Sequence, residues 1–314
     1  MPRFEPFRAL RYSPDAGPLD VLVAPPYDVL SAEDREDYAA RSPRNIVHVD
    51  VPAGGDDRYR HAGELLAQWL ADGVLAADHD PSFTIYRMQF TDVTGRRRDL
   101  AGVIGALEVV DEAAGGVLPH ERTTPKASTD RLDLTRATEA NLSPVWGLSL
   151  AGGLSSLLAE PGEVLGDVTV DGVTHVVERV SDPVRLTGLS VLVSAHDVLI
   201  ADGHHRYGVA RIYRDDVRAA TGRTDSPAEL TLAFVGELVA EQLSVEAIHR
   251  LYTSIGPDAI KDALATAFEL QPIAPPTPNT LADMQREGFL VLVLPGREVH
   301  RLTPKPGAFD GVRS

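Results

Sequence analysis

Apolar positions along this chain fall into alternating helical and strand-like runs. Leu19 to Ala24 reads as a strand closed by Pro25 and Pro26, which hold the backbone extended. Ser31 with Asp34 three residues on marks a capped helix to about Ala40. The alternation from Asn45 to Val51 predicts a strand. Ala62, Leu65, Leu66, Trp69 and Leu70 then recur at helical spacing between Tyr59 and Asp72, with Gly73 as the stop, so Trp69 is expected in the core. Ser82 to Phe90 and Asp99 to Val110 read as paired strands, and Val145 to Leu150 as a short one. Val168 to Val177 reads as a hairpin through Asp171-Gly172, with His175 as a facing residue. A helical stretch follows Arg179. Leu230 to Val235 and Phe289 to Leu294 read as buried strands, and Pro257 to Phe268 as a helix with proline in its first turn.

The chain is organised around Val198 to Tyr207. Val198 to Ala201 reads as a buried strand that breaks at Asp202-Gly203 into a helix running to about Ala220 and ending at Gly222. A strand that turns through glycine into a helix leaves backbone N–H groups free at the helix start, where the partial positive charge attracts anions. Gly203 lets the backbone approach a ligand closely. Arg206 adds a fork of donors suited to phosphate oxygens, and His204 and His205 can donate hydrogen bonds or bind metal. An ordinary strand–turn–helix corner is the alternative, but this much polarity there calls for a partner.

Length and charge narrow the classes. At 314 residues the chain suggests two domains or one with a large insertion. We expect an α/β (α+β) fold: an N-terminal mixed α/β region over 1–114, a site domain over 115–255, and a C-terminal helix–strand segment over 256–314. Thirty Lys and Arg against 46 Asp and Glu give a net charge of −16, which argues against nucleic acid as a partner. The absence of cysteine excludes disulfides, iron–sulfur clusters and thiolate zinc. No apolar run reaches membrane-spanning length, so no membrane partner and a cytoplasmic location are expected.

A second candidate segment is Pro119-His120-Glu121, where Glu121 is either a helix-capping carboxylate or a general base with the His120 imidazole beside it. Lys126, Arg131 and Asn141 follow as candidate substrate contacts, and His249-Arg250 as a second His–Arg pair for the site. Neither a phosphate-binding G-x-x-x-x-G-K-[ST] loop nor the protein-kinase signatures are present.

Four segments together carry a resemblance: Ala24 to Val29 (Ala-Pro-Pro-Tyr-Asp-Val), Pro119 to Glu121, Asn141 to Pro144 (Asn-Leu-Ser-Pro) and Ala201 to Tyr207. On these the chain resembles domain-of-unknown-function (DUF) family 1015 over most of its length, the last segment being the specific one. It departs from that pattern at its end, so a short or truncated form is expected. Pro-His-Glu and Asp-Gly-His-His-Arg are also similar to motifs of free-serine kinases built on the ParB/sulfiredoxin fold. That resemblance implies a ParB/sulfiredoxin-like site domain with an inserted hairpin, a nucleotide (ATP or ADP) with Mg²⁺, and a small hydroxylated metabolite as substrate. It implies Glu121 as general base, Asp202 near Mg²⁺ or the reacting group, and His204, His205 and Arg206 on the transferring phosphoryl group. The chemistry is consistent, because phosphoryl transfer needs mainly positioning and charge stabilisation. Two other readings stay open. One is a ParB-like nucleotide-binding switch or partner-binding protein without turnover. The other is a metal-dependent hydrolase using His120, Glu121, His204 and His205, although that spacing is not H-E-x-x-H.

Overall fold

The computed structural model describes residues 1–92, 95–111, 114–119, 125–242 and 250–309, with backbone only over 125–129. It is an α/β protein of two compact units, one of residues 1–90 and 97–243 and one of residues 91–96 and 244–314. No helix among the described residues is long and apolar enough to cross a membrane.

The larger unit holds a nine-stranded mixed sheet. Its order is Val117–Leu118, Val198–Asp202, Val145–Ser149, Leu230–Glu237, Arg97–Glu108, Phe83–Thr91, Val173–Val180 and Glu163–Val170, with Phe4–Glu5 paired to Arg97–Glu108 off this path. Strands from both sides of residue 115 share this sheet, with Arg97–Glu108 and Phe83–Thr91 lying between later strands. The hairpin expected at Asp171-Gly172 forms one edge. Its strands are longer than expected, and both turn residues have positive φ, 50° and 79°, as a tight two-residue hairpin turn requires.

Register decides which residues meet on the buried face. Ala233 stands opposite Gly105 and Val145, and Val235 opposite Val103 and Gly147. Helices Leu154–Ala159 and Pro183–Ser194 supply Leu154, Leu158, Leu189 and Val193 to the same core. Gly105 leaves room for two aromatic rings. A Cβ there would fall 2.5 Å from Phe4 and 2.6 Å from Phe83, whose rings stack at 5.1 Å.

Three further helices, Arg58–Ala71, Pro125–Thr138 and His204–Thr221, pack in series. The first two approach so closely that a Cβ on Gly63 would lie 2.2 Å from the Ala137 carbonyl oxygen. Trp69 is buried as its spacing predicted, in a second core with Leu22, Val49, Leu66 and Leu75.

Two expected strands are short helices instead, Leu19–Leu22 and Val47–Asp50. Asn45 supplies the reason. Its Oδ1 accepts from the Val47 N–H at 2.9 Å, while its Nδ2 donates to the carbonyls of Val21 and Val23, each at 2.9 Å. A buried amide that satisfies its own segment and a distant one at once outweighs a weak alternation.

In the smaller unit, helices Pro257–Ala265 and Thr280–Glu287 accompany a three-stranded sheet ordered Phe268–Pro272, Val299–Pro304, Leu290–Val293. The strand expected to be buried between Phe289 and Leu294 is the edge strand Leu290–Val293. Only its flanks, Phe289 and Leu294, are buried, and Leu290 and Val293 are half exposed.

Candidate functional site

Strand Val198–Asp202 runs parallel to Val117–Leu118 on one side and antiparallel to Val145–Ser149 on the other, with a bulge between Ile200 and Asp202. The bulge re-aims the chain just before the turn. Gly203 takes φ 87° and caps helix His204–Thr221, whose start has no side-chain cap. Its conformation and crowding both demand glycine: a Cβ would stand 3.2 Å from the Arg206 guanidinium and 3.3 Å from the Val145 Cα.

Arg206 folds back over this turn. It donates to the Asp202 carboxylate with Nη2 and to the Pro144 carbonyl with Nη1, and Nη2 also faces Asp28 at 3.9 Å. Its Nε is buried with no hydrogen-bond partner. One residue on, Tyr207 pins the helix start to the end of strand Arg97–Glu108. Its hydroxyl donates to the Glu108 carbonyl at 3.0 Å and accepts from the Val110 N–H at 2.8 Å. Burial pushes this phenol up to about 12.

A second arginine joins from helix Pro125–Thr138. Arg131 donates to Asp50 twice, to its carboxylate at 2.9 Å and to its backbone carbonyl at 2.8 Å. Its guanidinium stacks 3.8 Å above the Tyr27 ring, and that of Arg206 stands 6.0 Å from the same ring. The Arg131–Asp50 pair is buried, with side-chain exposures of 12% and 10%. Burial raises the Asp50 carboxyl above its ordinary range, and the Arg131 charge only partly offsets this. Burial likewise raises the Tyr27 phenol, against the pull of Arg206 and Arg131. Asp28 and Asp202, by contrast, are about half exposed at 45% and 58%, and both face the same guanidinium.

Of the residues singled out from the sequence, Asp202, Gly203, His204, His205, Arg206 and Arg131 meet at this corner. His204 is buried in the first helical turn and His205 is half buried beside it. Asn141 lies farther along, where its Oδ1 accepts from Thr231 Oγ1 at 3.0 Å. Lys126 sits in helix Pro125–Thr138, with its side chain outside the described residues, as are His120, Glu121 and His249. Pro119 directly follows Leu118, the register partner of Leu199, so the chain enters the Pro-His-Glu segment from the same end of the sheet as Asp202. Arg250 is exposed and belongs to the smaller unit. Among the described residues no three His, Cys, Asp or Glu side chains are grouped to hold a metal ion.

Three site residues were not nominated from sequence: Tyr27, Asp28 and Asp50. The first two lie in the Ala24–Val29 segment that carried the family resemblance, which was the available signal. Asp50 had none. Beside the corner a cavity of about 470 Å³ opens between helices Pro125–Thr138 and His204–Thr221, with Tyr27, Asp50, Arg131 and Arg206 at one end.

Four dispersed segments thus converge on one corner: Ala24–Val29, helix Pro125–Thr138, Asn141–Pro144 and Ala201–Tyr207. No curated protein and no solved structure matches this chain. A family model described as "Protein of unknown function (DUF1015)" matches residues 4–314, all but the first three residues of the chain. The chain belongs to the DUF1015 family.

Proposed function

We propose that the corner at Asp202–Arg206 binds the phosphates of a nucleotide, ATP or ADP, and that the protein is a cytoplasmic phosphotransferase acting on a small hydroxylated metabolite. The observation that carries this reading is the pairing of an uncapped helix N-terminus with two buried guanidinium groups, Arg206 and Arg131, beside a cavity. Backbone N–H groups, a helix dipole and two arginines can donate to phosphate oxygens, and a bound cation would offset the carboxylates of Asp28 and Asp202 that face Arg206.

Half-exposed carboxylates on Asp28 and Asp202, close to one guanidinium nitrogen, are the hard oxygen donors that suit Mg²⁺. When bound there, the ion would neutralise phosphate charge. With ATP as donor, the substrate hydroxyl oxygen attacks the terminal phosphorus and its bond to the bridging oxygen breaks, releasing ADP. Glu121 accepts the hydroxyl proton in this scheme, and Arg206 and the helix start hold the phosphoryl oxygens as charge redistributes.

The test is calorimetry with ATP and with ADP in the presence of Mg²⁺, on the natural protein beside Arg206→Ala and Glu121→Gln. The natural protein should bind, Arg206→Ala should lose at least tenfold in affinity, and Glu121→Gln should bind unchanged but transfer no phosphate. Binding by all three with equal affinity, or by none at millimolar nucleotide, overturns the reading. Tight binding with no transfer to any hydroxylated metabolite would point instead to a switch without turnover.

A further inference from the structure

Cavity polarity changes along its length. Arg206, Ala210, Tyr213 and Val217 share one face of helix His204–Thr221 and all line it. At 1.5 Å per residue the lined stretch from Arg206 to Val217 extends about 16 Å. At the Arg206 end the Nε atoms of Arg131 and Arg206 are buried without hydrogen-bond partners. At the far end the Ser226 hydroxyl is buried and equally unpartnered. Between them Leu142, Leu230 and the Tyr213 ring supply apolar wall, and Ala210 keeps the space open.

We propose that this groove is a nucleoside subsite, receiving the sugar and base of the nucleotide whose phosphates sit at the Asp202–Arg206 corner. This rests on the proposed phosphate site and extends it. The groove wants a ligand with an anion at one end, an apolar flat body, and neutral hydrogen-bonding groups at the other end. A nucleoside polyphosphate has that order. An aliphatic tail would leave the buried Ser226 hydroxyl unanswered. A second anion would meet the Glu139 carboxylate, which lines the groove within electrostatic reach of Tyr213. Ring stacking on Tyr213 would tolerate any base, while the neutral groups at the far end would choose among bases.

The experiment compares ATP with inorganic tripolyphosphate, which carries the phosphates without the nucleoside. Both are titrated with Mg²⁺ into the natural protein, Ala210→Phe and Tyr213→Ala. ATP should bind the natural protein at least tenfold more tightly than tripolyphosphate. Ala210→Phe, which fills the groove, and Tyr213→Ala, which removes its ring, should each abolish most of that preference. Tripolyphosphate affinity should stay unchanged in both variants, which also reports that they are folded. Equal affinity of the natural protein for the two ligands, or full retention of ATP preference in both variants, overturns the nucleoside subsite and leaves the phosphate site standing. Failure of the natural protein to bind either ligand overturns the phosphate site itself.

Discussion

Gly203→Ala tests the geometry of the corner most directly. Gly203 has φ 87°, a left-handed conformation that costs an L side chain about 1–2 kcal/mol. The new Cβ would also press on the Arg206 guanidinium at 3.2 Å and on the Val145 Cα at 3.3 Å. The guanidinium can give way but the backbone of a central strand cannot, so overpacking adds about 1 kcal/mol or more. The total is about 2–3 kcal/mol. Gly222 supplies an internal reference, because it has φ 68° at the other end of the same helix with nothing within 4 Å of its Cβ position. Gly222→Ala therefore carries the dihedral cost alone, about 1–2 kcal/mol. Urea unfolding followed by circular dichroism should show Gly203→Ala less stable than Gly222→Ala by at least about 1 kcal/mol, with both below the natural protein. Equal losses would refute the crowding argument, and a neutral Gly203→Ala would refute the left-handed turn. On the proposed function, displacement of Arg206 should also weaken nucleotide binding in Gly203→Ala and leave it intact in Gly222→Ala.

Two further outcomes follow from the same residues. Tyr207→Phe removes one hydroxyl that holds the Glu108 carbonyl and the Val110 N–H, leaving that N–H without its acceptor, so a loss of about 2–3 kcal/mol is expected in thermal or urea unfolding. A loss under about 0.5 kcal/mol would mean that this tether does not hold the helix start. Asp50 gives a pH test. Its folded carboxyl sits above its unfolded value because burial dominates, so its contribution to stability is fully present below the unfolded value and is lost as pH rises through the folded one. Unfolding free energies measured from acid to neutral pH should show the natural protein losing ground relative to Asp50→Asn as pH rises. A difference that stays constant, or grows in favour of the natural protein, contradicts the assignment.

The strand–glycine–helix corner was legible because its signals are local. An apolar run, a glycine and a polar-to-helical switch lie within ten residues, and the helix ends at Gly222 as read. Long amphipathic helices and the Asp171-Gly172 hairpin were legible for the same reason, since repeated periodicity or a turn dipeptide specifies them with little help from elsewhere. The one-turn helices at Leu19–Leu22 and Val47–Asp50 are too short for any period to show. Their conformation is set by Asn45, whose side chain bridges segments more than 20 residues apart.

Sequence thus determined which groups are available here: a strand–glycine–helix turn carrying Asp202, Gly203 and Arg206, in an acidic chain without cysteine. Which groups complete that turn was decided by the tertiary fold. Tyr27, Asp28, Asp50 and Arg131 come from segments 70 to 180 residues away from it in sequence; Arg131 stood out as a candidate and Tyr27 and Asp28 lay in a resemblance segment, but no local pattern places any of the four at this turn, and none marks Asp50 at all. They meet because the sheet interleaves early and late strands and because Gly63 allows helices Arg58–Ala71 and Pro125–Thr138 to approach closely. The physical reason is range. Backbone conformation responds to neighbours a few residues away, whereas burial of a charged pair such as Asp50–Arg131 depends on packing between distant segments.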